Sequence, residues 1–305
     1  MLEYIAVLAA GTIWAAGGLL VRYLQLHGLK AMTIALLRLC SAWLIYTAWI
    51  LSTDRKLFRV ERKHLPFLLL LGAVGPAGSQ PLFITAVTLT TVAVATILNY
   101  TAPLFVIILA RLFLGETITG RKVVALAFTI GGLVLVTGVY RTGGTVSLPA
   151  FASGLASGFL YATYTMLLKR VVVQYNPITL QWWSSLFGIP ILAVYSLPSL
   201  AGQNFNLPPL GWAAVAALAI GPGFTAFVLF TWALSRTQAS RVAIAANIEP
   251  VAAALLGVIV LGERLGFGEI LGVCMVLAGI AIASVPNHER VRPDRPASSQ
   301  PSCTM

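Results

Sequence analysis

Charge is what this sequence has least of. Only 10% of its 305 residues are Asp, Glu, Lys or Arg, against roughly a quarter in soluble domains, while 58% are apolar. A soluble core of this length could not hide so much apolar surface beneath so few charges, which excludes an ordinary cytosolic enzyme. It also excludes disorder, except locally. Cysteine is equally scarce: Cys40 and Cys274 fall inside apolar runs and Cys303 near the C-terminus, a spacing that supports neither a disulfide framework nor a metal site. His27, His64 and His288 fall in connections or in the tail. No His-Glu-x-x-His or paired His/Cys constellation occurs, so no metal or other cofactor is expected. The net charge of +11 does not indicate a nucleic-acid partner. Its basic residues cluster in short connections, such as Arg55, Lys56, Arg59, Arg62 and Lys63, and not on a basic helix or an aromatic-interleaved patch. Met1-Leu2-Glu3 lacks the basic start of a cleavable signal peptide.

Apolar runs make up most of the chain. Ten can be marked, at about 4–21, 31–51, 65–86, 92–114, 123–140, 150–168, 178–198, 210–234, 241–261 and 268–285. Each has roughly 18–25 residues, enough to cross a hydrocarbon core of roughly 30 Å as a helix. They are continuously apolar, not alternating, which excludes a β-barrel. After residue 285 the composition turns polar and proline-rich, and 286–305 reads as a disordered tail.

Basic residues set the orientation. With the N-terminus in the cytoplasm, 15 Lys/Arg fall inside, four outside (Arg22, Lys30, Arg141 and Arg264), and Arg38 within a span. Around the first span alone the signal is reversed, since Glu3 precedes it and Arg22 and Lys30 follow. The count over the whole chain outweighs that local signal and places both termini in the cytoplasm.

The chain repeats itself at an offset of 147 residues. Gly11 matches Gly158, Trp14 matches Tyr161, Thr90 matches Thr237, Pro103 matches Pro250, Leu114-Gly115-Glu116 matches Leu261-Gly262-Glu263, and Gly132 matches Gly279. Gly75-Pro76 finds Gly221-Pro222 one residue out of register. Each half holds five spans, an odd number, so the second half enters the membrane from the opposite side. The predicted fold is an all-α membrane protein of ten transmembrane helices, built as two inverted five-helix repeats at 1–140 and 148–285. Inverted repeats are a construction principle of secondary transporters, with the substrate site near the midplane between the halves.

Together these motifs resemble the drug/metabolite transporter superfamily, in particular its ten-helix group of paired EamA-type domains. The resemblance covers residues 4–285. It is carried by Ile13-Trp14-Ala15, Leu36-Leu37-Arg38, Pro103 with Leu114-Gly115-Glu116, Glu249-Pro250 with Leu261-Gly262-Glu263, and the glycines of the fifth and tenth spans. It implies a basket of ten helices that exports or exchanges small metabolites, often amino acids. The sequence departs from the group where Trp14-Ala15 stands in place of the common Trp-Gly, which leaves the substrate open.

Glu249 is the one acid deep inside an apolar run, Glu269 standing only second in the last of them. It lies about 12 Å into the ninth span, near the midplane, where a carboxylate is expensive and points to function. It either carries a coupling proton or binds a substrate ammonium; the structural alternative is a hydrogen-bonded acid bracing the kink at Pro250. Arg38 suits a substrate carboxylate through its planar fork, or else snorkels or binds helix carbonyls. Trp14, Gln80, Asn99, Tyr100, Tyr161, Tyr164 and Asn247 are mid-span polar or aromatic groups that fit a cavity, with interhelical packing as the alternative for each. Gly11, Trp14 and Gly18 are expected on one face of the first span. Gly75-Pro76 and Gly221-Pro222 interrupt matched spans, and Pro103 with Pro250 make a second matched pair. Matched interruptions point to a binding site or gate; ordinary kinking is the alternative. Glu116 and Glu263, at helix ends, are expected to brace the helix that follows.

Two motifs mislead. Residues 115–122 carry phosphate-loop glycine spacing without the Lys-Ser/Thr ending and between membrane helices. Asn99-Tyr100-Thr101 is a glycosylation sequon inside a span. The expected partners are therefore a small-molecule substrate, the lipid bilayer and a coupling proton. A channel and a membrane-embedded enzyme are the other classes; an enzyme would need clustered ionisable residues, which the spans lack. The orientation is directly testable. Reporters fused after Arg295 should be active only if they work in the cytoplasm, and periplasmic activity there would overturn both the ten-span count and the inverted repeat.

Overall fold

The computed structural model describes residues 1–141, 146–262 and 264–285. The tail at 286–305 and Glu263 of the second Leu-Gly-Glu motif lie outside the described residues. Every element among the described residues is helical, as a bilayer requires, because a helix satisfies its backbone hydrogen bonds within one segment. Nine helices there are long and apolar enough to cross a membrane: Leu2–Leu26, Ala31–Thr53, Arg62–Leu89, Val92–Leu114, Leu148–Val171, Pro177–Leu200, Pro209–Arg236, Ala239–Val260 and Phe267–Ser284. The 17-residue helix Gly120–Val136 is the fifth in order and completes ten spans. Large apolar side chains such as Leu69, Leu112, Phe113, Ile259 and Phe267 are exposed on the outer surface, where lipid replaces water.

The first helix, Leu2–Leu26, runs past the apolar stretch that marks it in the sequence and takes in Glu3. Glu3 and Glu269 fall in the first turns of the first and tenth spans, so Glu249 is not the one acid within a helix. Near the interface an acid in a first turn complements the helix dipole, and backbone hydrogen bonding continues where hydrophobicity stops.

Four spans are interrupted, in matched pairs. The third has a π-helical turn at Gly75–Ser79 and the eighth one at Ala219–Thr225. Proline lacks an N–H and its ring clashes with the carbonyl four residues back; widening the helix by one residue accommodates both. The fourth span divides into Val92–Asn99 and Ala102–Leu114, and the ninth into Ala239–Ala246 and Ile248–Leu261. Pro103 and Pro250 therefore do not kink a continuous helix. Each sits in the first turn of a new one, where a missing N–H removes no helical bond.

The two halves interlock instead of packing each on itself. The first span packs against the eighth and ninth, and its counterpart, the sixth, against the third and fourth. Glycine makes these crossings close. A Cβ on Gly11 would meet Ile248, Ala246 O and Glu249 N at the break in the ninth span; one on Gly158 would stand 2.8 Å from Asn99 O, at the break in the fourth. Gly17 accepts the Pro222 ring, and Gly75 accepts the Tyr164 ring, the same crossing with the large and small partners exchanged. Gly18, expected on this face, is exposed with nothing near it. The fifth and tenth spans cross at Gly132, Gly272 and Gly279, where an added Cβ would come within 2.6–2.7 Å of a facing carbonyl oxygen. Small residues allow such backbone approach, which drives helix association where lipid removes any hydrophobic advantage.

The Leu-Gly-Glu motifs end the fourth and ninth spans. Gly115 and Gly262 take left-handed conformations, with φ of +66° and +68°, as helix C-caps do. Glu116 then turns back into the protein. It pairs with Lys122 Nζ at 3.2 Å in the fifth span, as expected for a brace of the following helix, and both side chains are less than a tenth exposed. It also accepts from Ala239 N at 2.9 Å and from the Ser240 hydroxyl, capping the ninth span of the opposite half. Lys169 Nζ donates to Leu234 O and Thr237 O at 2.7 and 2.8 Å, holding the sixth span to the end of the eighth. Glu116→Ala leaves Lys122 buried without its counter-ion, a change that typically costs about 3–5 kcal/mol. The thermal unfolding midpoint in detergent should fall clearly, and less for Glu116→Gln. An unchanged midpoint in both variants would contradict a bracing role.

Candidate functional site

The matched interruptions enclose a cavity of about 80 Å³ between the halves, room for several waters. Its wall includes Arg38, Gly75, Pro76, Ser79, Gln80, Tyr161, Tyr164, Gln181, Ser185, Gly223 and Phe227, with Ala35, Leu39, Ala42 and Leu192. Three pairs on this wall are counterparts at the repeat offset of 147: Arg38 with Ser185, Pro76 with Gly223, and Gln80 with Phe227. The cavity therefore lies on the pseudo-two-fold axis that relates the halves.

Of the residues singled out in the sequence, Arg38, Gly75, Pro76, Gln80, Tyr161 and Tyr164 meet on this wall. The stem of Arg38 lies along Gly223, where an added Cβ would stand 3.5 Å from its Cγ. Among the described residues its guanidinium has no hydrogen-bond or ion-pair partner. It interacts electrostatically with Glu249, but no salt bridge joins the two. The Tyr164 hydroxyl lies 2.9 Å from Gln181 Nε2 and 3.1 Å from Gln181 Oε1, and Gln181 Nε2 donates to Thr231 at 2.7 Å.

Trp14, Asn99, Tyr100, Asn247, Glu249, Pro103, Gly221, Pro222 and Pro250 do not line the cavity. The Trp14 indole donates to Pro222 O at 3.2 Å and packs on Phe227 and Phe230, with ring centroids 5.2 and 5.5 Å away. Asn99 accepts from the Ser157 hydroxyl at 2.6 Å, and Ser79 donates to Ser157 O at 3.1 Å. The third, fourth and sixth spans are thus linked by polar contacts. Glu249 stands in the first turn of the half-helix Ile248–Leu261, within the electrostatic reach of Tyr100 and Tyr161. Of these two tyrosines Tyr161 is on the cavity wall. Asn247, only 1% exposed, places its amide nitrogen at the break without a partner.

Sequence reasoning missed Tyr46, Gln181, Ser185 and Phe227. Tyr46 is buried and donates to Gly223 O at 3.0 Å, with Phe224 O at 3.3 Å. With Trp14, which donates to Pro222 O, it ties carbonyls of the π turn to the opposite half of the protein. Ser185 and Phe227 were within reach of the repeat itself, since they stand 147 residues after Arg38 and Gln80. Gln181 is an amide within an apolar run, the same signal that marked Gln80. Among the described residues no group of three or more His, Cys, Asp or Glu could hold a metal ion. The wall carries one cation, two amides, hydroxyls and aromatic faces.

The EamA-like transporter family matches this chain twice, over residues 1–138 and 148–285. An uncharacterized inner membrane transporter, YicL, of Salmonella typhimurium is 27% identical over 297 residues, covering 94% of this chain and 96% of that protein. An uncharacterized transporter of Archaeoglobus fulgidus is 31% identical over 203 residues, covering 66% of this chain and 70% of the relative. A solved crystal structure has the same fold, with a TM-score of 0.77 at 18% identity over 93% of this chain and 95% of that one. Two family matches, one in each half of a ten-span inverted repeat, place this integral membrane protein in the EamA-like transporter family.

Proposed function

We propose that the protein is a secondary transporter of the inner membrane that exports or exchanges a small metabolite, an amino acid or related compound, by alternating access, with both termini in the cytoplasm. The observation that carries this reading is the cavity on the pseudo-two-fold axis, flanked by matched π turns. When inverted halves exchange conformations, a site between them passes from one side of the membrane to the other without moving. A π turn is a helix already widened at one point, where a span can bend without losing further hydrogen bonds. On this reading Gly75, Pro76, Gly221 and Pro222 serve the gates. Pro103 and Pro250 set the half-helices that end beside the site, Arg38, Gln80, Tyr161 and Tyr164 contact substrate, and Trp14, Asn99, Tyr100 and Asn247 support that wall from behind.

Glu249 is the candidate for a coupling proton. It is the acid nearest the cavity, its counterpart in the first half is Ala102, and Tyr100 and Tyr161 connect it to the wall. A brace for a proline break does not need a carboxylate, since Pro103 starts its helix after Ala102. One observation favours a facilitator without ion coupling: Glu249 is not itself on the cavity wall.

Glu249→Gln separates the two. It keeps size and hydrogen-bonding capacity but cannot exchange a proton at ordinary pH. In proteoliposomes screened with a panel of labelled amino acids and related monocarboxylates, the wild type should show saturable counterflow of at least one of them and uptake driven by an imposed pH gradient. The Gln variant should lose gradient-driven uptake by about tenfold or more, equivalent to 1.4 kcal/mol, with its thermal midpoint unchanged or raised. Wild-type uptake by the variant from pH 5 to 8 would remove Glu249 from the mechanism. Non-saturable flux would favour a channel.

A further inference from the structure

We infer that the cavity recognises its substrate through one carboxylate held by Arg38, and that the rest of that substrate carries no charge. This rests on reading the cavity as the substrate site and narrows the proposed class, an amino acid or related compound, to the related monocarboxylates that lack the ammonium.

The first support is the state of Arg38. A guanidinium stays protonated in any protein environment, so inside a membrane it needs a counter-charge or a full set of acceptors. Among the described residues no hydrogen bond or salt bridge satisfies it, and Glu249, the acid within its electrostatic reach, forms no salt bridge with it. Its stem lies along Gly223 and it lines the cavity. The hydrogen-bonding capacity of the fork is therefore unspent, and its geometry fits a carboxylate with two parallel hydrogen bonds.

The second support is what the wall lacks. Among the described residues lining the cavity no acid appears, and Arg38 is the one charged group. Across the axis its counterpart is Ser185, so the positive charge is not doubled. A phosphate ester would bring a second negative charge to a site with a single cation. An amino acid would bring an ammonium, for which the wall has no anion. Several of the polar groups are already engaged: Gln181 holds Tyr164 and Thr231, and Ser79 holds Ser157. Gln80 and Ser185 make no hydrogen bond to the protein among the described residues and stay available to an uncharged polar group. Glu249 is not among the residues that line the cavity.

The third support is the remainder of the wall. Ala35, Leu39, Ala42, Pro76, Leu192 and Phe227 make up the apolar part of the wall. That surface suits a short aliphatic or aromatic body and offers a second charge nothing but desolvation.

The test is direct binding to the purified full-length protein in detergent, by calorimetric titration and ligand-induced thermal shift. The probes are propionate, isovalerate and phenylacetate, each matched with its amide, its primary amine and its α-amino counterpart (alanine, valine and phenylglycine), together with inorganic phosphate. At least one carboxylate should bind about tenfold or more tightly than its amide, amine and amino-acid counterparts and than phosphate, a difference of 1.4 kcal/mol or more. In Arg38→Gln that carboxylate and its amide should bind within about twofold of each other. A matched amino acid, amine or phosphate binding as tightly as the carboxylate would overturn the inference. So would binding by none of the carboxylates, or a preference that survives in Arg38→Gln. The wild-type comparison decides alone should the Gln variant not fold. Because binding is read without transport, carboxylate binding without counterflow would overturn the carrier reading and leave this one. Amino-acid counterflow without carboxylate preference would do the reverse.

Discussion

Inside a bilayer every backbone N–H and C=O must find its partner within the protein, and four spans of this one are interrupted beside a proline. Pro76 and Pro222 free carbonyls in the third and eighth spans; Pro103 and Pro250 mark where the fourth and ninth stop and restart. The ways in which these breaks are accommodated determine much of the rest of the structure. The π turns widen around two of the prolines. Trp14 and Tyr46, both from the first half, donate to carbonyls of the π turn in the second. Gly11 and Gly158 bring the first and sixth spans against the breaks in the ninth and fourth. Each half thus supplies what the other half's interruptions require, and neither could pack alone in this form.

The scaffold is nearly symmetric while the chemistry placed on it is not. At equivalent positions Arg38 faces Ser185, Gln80 faces Phe227, Glu249 corresponds to Ala102 and Asn247 to Tyr100. The crossing of Gly17 with Pro222 is repeated as Tyr164 with Gly75, large and small exchanged. Such exchanges preserve volume at the crossing, which close packing demands, and so leave the fold intact. Such one-sided substitutions make the chemistry of the cavity asymmetric on a nearly symmetric scaffold.

The fold was legible in the sequence because lipid imposes one solution on an apolar run of about 20 residues, and because Leu-Gly-Glu recurs in register with proline. Helix ends were less so: hydrophobicity stops at the interface, whereas Glu3 and Glu269 still lie within helices. The conformation at the breaks was legible as a location but not as a form, since Gly-Pro permits a kink, a π turn or a restart. The site was legible in part. A span that is apolar all round has no polar stripe to show which face turns inward. Trp14 and Asn99 thus read like Arg38 and Gln80, although their polar atoms are engaged with Pro222 and Ser157. Ser185 and Phe227 were hidden by their ordinary identities, and the repeat offset points to them where composition does not.

Whether the cavity on the two-fold axis opens alternately to the two sides can be measured at Ser185. Place a cysteine there in a chain with Cys40, Cys274 and Cys303 replaced by serine, and apply membrane-impermeant thiol reagents separately to right-side-out and inside-out vesicles. Labelling from both faces, at rates that shift in opposite directions when a transported substrate is added, is the result expected of a carrier whose halves exchange conformations about this axis. Labelling confined to one face, with and without substrate, would contradict it.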